Sequence, residues 1–200
     1  MHRHSIMPKT QKKMVNNMIF DEKIIILKNG QNAILKTPCI EDAEMLLNSI
    51  KTSSGETEFL THYAEYWDNV SVENEEEWIR SKRESENNLV IACYIDGRPV
   101  GCCDITFFNN CKNFHRAGLG ISITKKYWNL GIGSAMFEAL IEAARNHEGT
   151  EIVELDFIEG NDRAKALYEK FGFKVIAVKP NYCKLKDGTY QNLVYMQKYL

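Results

Sequence analysis

Gly131 and Gly133 are the residues of this 200-residue chain whose type and spacing most directly suggest chemistry. The run Gly120-Ile-Ser-Ile-Thr-Lys-Lys-Tyr-Trp-Asn-Leu leads into them, and Ser134-Ala-Met136 follows. It reads as a strand ending near Ile123, a turn, and then the start of a helix. Glycines there let the free N–H groups of a first helical turn approach a ligand closely, and the helix dipole adds positive potential. Such a turn can seat a phosphate or pyrophosphate; the competing reading is a plain glycine-containing loop. Two other phosphate motifs fail. Nothing matches the Walker pattern G-x-x-x-x-G-K-[ST], and the dinucleotide pattern G-x-G-x-x-G would need a third glycine where Met136 stands. Metal chemistry is not expected. The five histidines are scattered, and Cys39, Cys93, Cys102, Cys103, Cys111 and Cys183 form no Cys-x-x-Cys pair. Cys93, Cys102 and Cys103 sit in apolar runs and read as reduced, buried thiols.

Several elements must hold that turn in place. Residues 32–37 read as a strand stopped by Pro38, and Ala43, Leu46, Leu47 and Ile50 fall on one face of a helix. An irregular, aromatic-rich stretch fills 51–72, and a second helix covers 73–86, with Glu75–Glu77 suited to its positive end. Leu89–Ile95 and Pro99–Phe108 are strands joined by the Asp96-Gly97 hairpin turn, and His115–Thr124 is a third. Helix and strand then alternate. A helix runs from Ile132 to about His147, and a half-buried strand covers Val153–Phe157. Ala164, Leu167, Tyr168 and Phe171 mark a short helix closed by Gly172, before final strands at 173–178 and 192–199. The expected fold is mixed α/β: a mostly antiparallel sheet of about seven strands with helices on both faces, in an order unlike a Rossmann domain.

Composition narrows the partners. The chain is 44% hydrophobic and 26% charged with a net charge of −2, ordinary for a globular protein and unlike a dedicated nucleic-acid binder. No apolar run approaches the roughly 18 residues of a membrane span, and the start lacks the apolar centre of a signal peptide. A cytoplasmic location without membrane contact is the expectation. Residues 1–17 hold Arg3, Lys9, Lys12 and Lys13 and no acid, and read as a mobile basic tail ahead of one domain over 18–200.

Two blocks resemble the GCN5-related N-acetyltransferase (GNAT) superfamily. Trp128-Asn-Leu-Gly-Ile-Gly133 fits its Arg/Gln-x-x-Gly-x-Gly/Ala acetyl-CoA loop, with Trp128 where Arg or Gln is frequent. Asn161-Asp-Arg-Ala-Lys-Ala-Leu-Tyr168-Glu-Lys-Phe-Gly-Phe173 resembles its Asn-x-x-Ala-x-x-x-Tyr-x-x-x-Gly-Phe segment. The order of elements agrees from about Ala33 to the end. The resemblance implies the acyl-CoA N-acyltransferase fold and transfer of an acetyl group from acetyl-CoA to a primary amine by direct attack in a ternary complex. It places the main chain of Ile121, Ser122 and Ile123 beside the pantetheine arm and wraps Asn129, Leu130, Gly131, Ile132, Gly133 and Ser134 around the pyrophosphate. Trp128 stands at a further pyrophosphate position. Asn161 would touch the cofactor, with capping of the helix as its alternative. Tyr168 would protonate the departing thiolate, although by periodicity alone it belongs to the apolar stripe. A phenol of pKa about 10 is protonated at neutral pH and can donate to a thiolate of pKa about 8.5.

The base and acceptor site are less marked. Glu58, in a connection that lines the acceptor site in the superfamily, is one base candidate, and its alternative is a solvated loop carboxylate. His115 is another, with a suitable pKa range, and Glu56 a third. Phe59, Tyr63, Tyr66 and Trp67 wall the acceptor pocket or fill a satellite core. The acceptor is a small-molecule or protein amine. A non-catalytic acyl-CoA-binding module of the same fold and a nucleotide-binding protein are the competing readings. Homodimers are common in the superfamily, but no feature of the sequence marks a dimer surface.

Overall fold

A computed structural model of the chain describes residues 17–200; the basic tail expected over 1–17 lies outside the described residues except for Asn17. One eight-stranded sheet organises the molecule: β1 (Lys23–Ile26), β2 (Asn32–Lys36), β3 (Asn88–Ile95), β4 (Arg98–Phe107), β5 (Arg116–Ile123), β6 (Ile152–Ile158), β7 (Lys174–Lys184) and β8 (Tyr190–Tyr199). Their spatial order is β1-β2-β3-β4-β5-β6-β8-β7, antiparallel everywhere except between β5 and β6. The mixed, mostly antiparallel sheet matches the expectation; the count of about seven strands is corrected to eight. The additional strand, β1, forms a hairpin with β2 across Asn29-Gly30, where Gly30 takes φ +82°.

Four α-helices cover the two faces: α1 (Ala43–Gly55), α2 (Val72–Arg83), α3 (Ile132–Asn146) and α4 (Asp162–Lys170). α2 starts at a capping box, in which the Ser71 hydroxyl accepts from the Asn74 N–H and the Asn74 amide oxygen accepts from the Ser71 N–H. Acids in its first turn and Arg80, Lys82 and Arg83 in its last complement the helix dipole. α3 buries Ile132, Met136, Phe137, Leu140 and Ala144 along one face, against the sheet. α3 and α4 bound the larger core. A smaller core of Ala43, Leu46, Ile79, Ala92 and Tyr94 lies under α1 and α2, on the opposite face. All six cysteines are free. Cys93 and Cys103 are buried, and burial pushes the Cys93 thiol up to about 12.

The local feature that creates a site is a split between the two parallel strands. β5 and β6 pair only at Arg116↔Ile152, Ala117↔Val153 and Gly118↔Glu154. Beyond Gly118, β5 continues along β4 and β6 continues along β8, so the strands diverge into an open V.

Candidate active site

Antiparallel pairing fixes what β5 presents to the V. The Phe108 N–H donates to the Arg116 carbonyl and the Thr124 N–H to the Val100 carbonyl, in unbroken register between them. Hydrogen-bonded pairs alternate along an antiparallel ladder, so even-numbered β5 residues turn their main chain toward β4. The N–H and C=O groups of Leu119, Ile121 and Ile123 therefore face the gap where β6 has left. The indole N–H of Trp128 takes the Ile123 carbonyl at 2.6 Å. The remaining groups have no strand partner, and a half-buried main-chain edge in that state can pair with an extended, amide-bearing ligand. Ser122 is the exception among the three strand residues singled out above: its main chain is committed to β4. Its side chain points to the α1/α2 face.

A cavity of about 250 Å³ occupies the V, with Gly120–Ile123 on one wall and Asp156–Ile158 on the other. Tyr168, Asn161 and Trp128 line it too. The Tyr168 ring is 6% exposed and packs on Phe137, Phe157 and Phe173 at centroid distances of 5.2, 5.6 and 6.5 Å. Burial pushes its phenol up to about 12, opposed by Arg163 and assisted by Asp156. It is a protonated donor at the edge of the V. Asn161 caps α4, its amide oxygen accepting from the Ala164 N–H at 3.2 Å. The capping role weighed for it is therefore present, and the residue also lines the cavity.

The glycine turn lies at the open end of β5. Asn129 and Gly131 adopt left-handed φ values of +64° and +98°, and α3 begins at Ile132. The N–H groups of the first helical turn have no partner within the helix. A Cβ on Gly133 would stand 3.2 Å from Leu167 Cδ2 and 3.5 Å from Ile123 Cδ1, so this glycine lets α3 approach β5 and α4 closely. The Arg163 guanidinium stacks on the Trp128 ring at 3.7 Å, and Lys170 donates to the Ser134 hydroxyl at 3.0 Å. Positive charge therefore surrounds the turn even though position 128 itself carries none.

A second cavity of about 660 Å³ lies on the other face of β4 and β5, beneath α1, α2 and the 60–70 segment. Leu60, Gly120, Ile121 and Ser122 line both cavities, so the two meet across the exposed end of β5. Tyr66 and Trp67 are in its wall, whereas Phe59 faces the V. Two carboxylates that sequence reasoning missed as site residues, Glu75 of α2 and Asp104 of β4, also line it. Burial pushes both carboxyls above the ordinary range, with Lys82 partly opposing the effect at Asp104. A Cβ on Gly120, paired with Asp104 across the ladder, would stand 3.3 Å from Asp104 Oδ1.

The three base candidates named from the sequence fall elsewhere. Glu58 is exposed and lines neither cavity. His115 precedes β5 at its far end, roughly 20 Å of strand from Ser122. Glu56 accepts from the Lys125 N–H at 2.6 Å and ties α1 to the turn after β5. The missed pair left one trace in the sequence: an aspartate in the middle of the otherwise apolar strand 99–108.

Comparison with known proteins identifies the fold and the family. A relative from Escherichia coli (strain K12), named L-amino acid N-acetyltransferase AaaT, is 30% identical over 109 residues, 54% of this chain and 66% of that protein, just under two thirds of its length. Among solved structures, a GNAT-family acetyltransferase from Streptococcus pneumoniae superposes with a TM-score of 0.77 at 25% identity, covering 84% of this chain and 99% of that one. The protein yncA from Salmonella typhimurium, solved with its cofactor acetyl-CoA, shares the fold with a TM-score of 0.71 at 18% identity, over 85% and 95% of the two chains. The family model described as acetyltransferase (GNAT) family matches residues 55–173, which contain the split strands, the glycine turn and Tyr168, and the chain belongs to that family.

Proposed function

We propose that the chain is an acetyl-CoA-dependent N-acetyltransferase that passes an acetyl group directly to a primary amine in a ternary complex. The observation that carries this reading is the main-chain edge of Leu119, Ile121 and the Ile123 N–H, without a strand partner, facing a slot that also holds the Tyr168 phenol and leads to the glycine turn. An extended pantetheine arm has amides to pair with that edge, and a pyrophosphate suits the Asn129–Ser134 turn. Asn161 offers its amide nitrogen from the start of α4.

Acetyl-CoA supplies an activated acyl carbon as a thioester. The chain orients it and moves two protons. An amine in the second cavity reaches the slot past Gly120 and Ser122, where the two cavities meet. Asp104 accepts the proton the ammonium must lose, a role suited to a carboxyl whose basicity burial has raised. The Ile123 N–H faces the slot and polarises the acyl oxygen. As the new C–N bond forms and the C–S bond breaks, the nitrogen releases its second proton to solvent, and Tyr168 donates its own to the departing sulfur and regains one from solvent.

Tyr168→Phe tests the assignment. Turnover should fall by about 100-fold or more, the range for losing one general acid, while acetyl-CoA affinity changes less than about twofold. Unchanged turnover would remove Tyr168 as the acid. Acetyl-CoA binding without turnover of any amine by the unmodified chain would make it a binding module.

A further inference from the structure

The second cavity carries information about the acceptor. Its apolar wall includes Leu46, Ile50, Tyr66, Trp67, Val70 and Trp78, and it carries two carboxylates, Glu75 from α2 and Asp104 from the sheet. Among the described residues, no lysine, arginine or histidine lines it. Lys82 partly offsets the effect of burial on Asp104 without lining the cavity, and its ammonium is engaged elsewhere. Lys82, on the same helix as Glu75, donates to Asn88 Oδ1 at 2.7 Å, and Lys51 of α1 is paired with Asp68. Arg163 belongs to the cofactor side, stacked on Trp128. His62 stacks on Tyr66 at 3.9 Å without lining the cavity.

We propose, resting on the acetyltransferase reading, that the acceptor is a small primary amine with an aromatic or branched apolar body and no carboxylate. Two carboxylates in a half-buried site favour an ammonium and resist a second anion, since like charges brought together out of water are costly. A free α-amino acid would bring its carboxylate within a few bonds of the attacking nitrogen, to a wall that offers no cation for it. The apolar remainder asks for a matching body, and three aromatic side chains suit a ring. A cavity of about 660 Å³ holds such a molecule with room to spare. Glu75 is the anchor for the ammonium in this arrangement, which leaves Asp104 for the proton.

The test compares 2-phenylethylamine with phenylalanine, which has the same ring and amine plus a carboxylate. Phenylalaninamide, putrescine and a short peptide with N-terminal phenylalanine complete the panel, each read as CoA thiol released from saturating acetyl-CoA. Expected is a kcat/KM at least about 100-fold higher for phenylethylamine than for phenylalanine, with the amide recovering most of the loss. Glu75→Gln should raise the phenylethylamine KM about tenfold with kcat nearly unchanged. Equal or better use of phenylalanine overturns the exclusion of a carboxylate. A preference for putrescine overturns the apolar body, and a preference for the peptide assigns a polypeptide N-terminus instead. A thermal shift with acetyl-CoA but no turnover of any of these amines overturns the acceptor class alone; no shift with acetyl-CoA overturns the transferase reading beneath it.

Discussion

At the scale of single residues, Asp104 has the most testable behaviour. Burial raises its folded-state pKa above the value it has in the unfolded chain, so the native protein holds that proton at a pH where the unfolded chain has released it. The associated loss of stability is absent below the unfolded value, grows as pH rises from the unfolded value to the folded one, and is constant above it. Asp104→Asn removes it. The variant should melt above the unmodified protein at about pH 7 and show little difference near pH 3, where the aspartate is protonated in both states. Its kcat/KM should nevertheless fall by about 100-fold, and the acidic limb of its pH–rate profile should vanish. Thermal unfolding across pH together with initial rates checks both. A lower melting temperature at pH 7 would mean that the carboxylate is stabilised by a partner, and an unchanged rate would move the base elsewhere. Glu75 and Asp104 were hard to read from sequence for a physical reason. Glu75 sits in a run with Glu73, Glu76 and Glu77 that resembles a solvated helix face, and only packing of α2 against α1 and β3 turns it inward. Glu58 had no such packing and stayed exposed.

At the scale of elements, caps and turns carry the positioning. Ser71→Ala removes the hydroxyl that caps α2, the helix bearing Glu75, at a cost of about 1 kcal/mol. For a chain of this size the melting temperature should drop by about 2–4 °C. Gly131→Ala places a side chain at φ +98°, where an L-residue is strained by about 1–2 kcal/mol. Open space surrounds that position, with Lys28 Cγ at 3.9 Å as the nearest atom found, so the loss comes from the backbone alone. Denaturant unfolding of Gly131→Ala should show a lower midpoint with an unchanged slope; a changed slope would indicate a rearranged turn. These local features are also the ones legible in sequence. The glycine turn, the stop at Gly172 and the 3.6-residue stripe of α4 depend on neighbours in the chain, and each appears at its expected place. β1 was not read because Ile24 and Ile26 lie exposed on an edge strand with no apolar alternation to mark a buried face. Its one local signal was the Asn29-Gly30 turn.

At the scale of the whole molecule, the candidate site is a consequence of topology more than of any single side chain. Two parallel neighbours share three pairs of residues and then follow different antiparallel partners, which opens the V at the middle of the sheet. Helices on both faces then give the opening two sides, one leading to the glycine turn and the other to the carboxylates. The order of elements was readable from periodicity, but the divergence of β5 from β6 was not, because it is a property of pairing between strands. A ligand held along β5, by the turn and beside Tyr168 touches three elements of the folded chain, so binding confined to the folded state should register as added stability. The direct measurement is thermal unfolding with acetyl-CoA, ATP and NAD in parallel. At about 100 times its Kd a ligand specific to the folded state adds about 2.7 kcal/mol. For this chain length that corresponds to a rise of roughly 5–10 °C with acetyl-CoA and none with NAD or ATP. No rise at millimolar acetyl-CoA, or an equal rise with ATP, would contradict an acyl-CoA slot between β5 and β6.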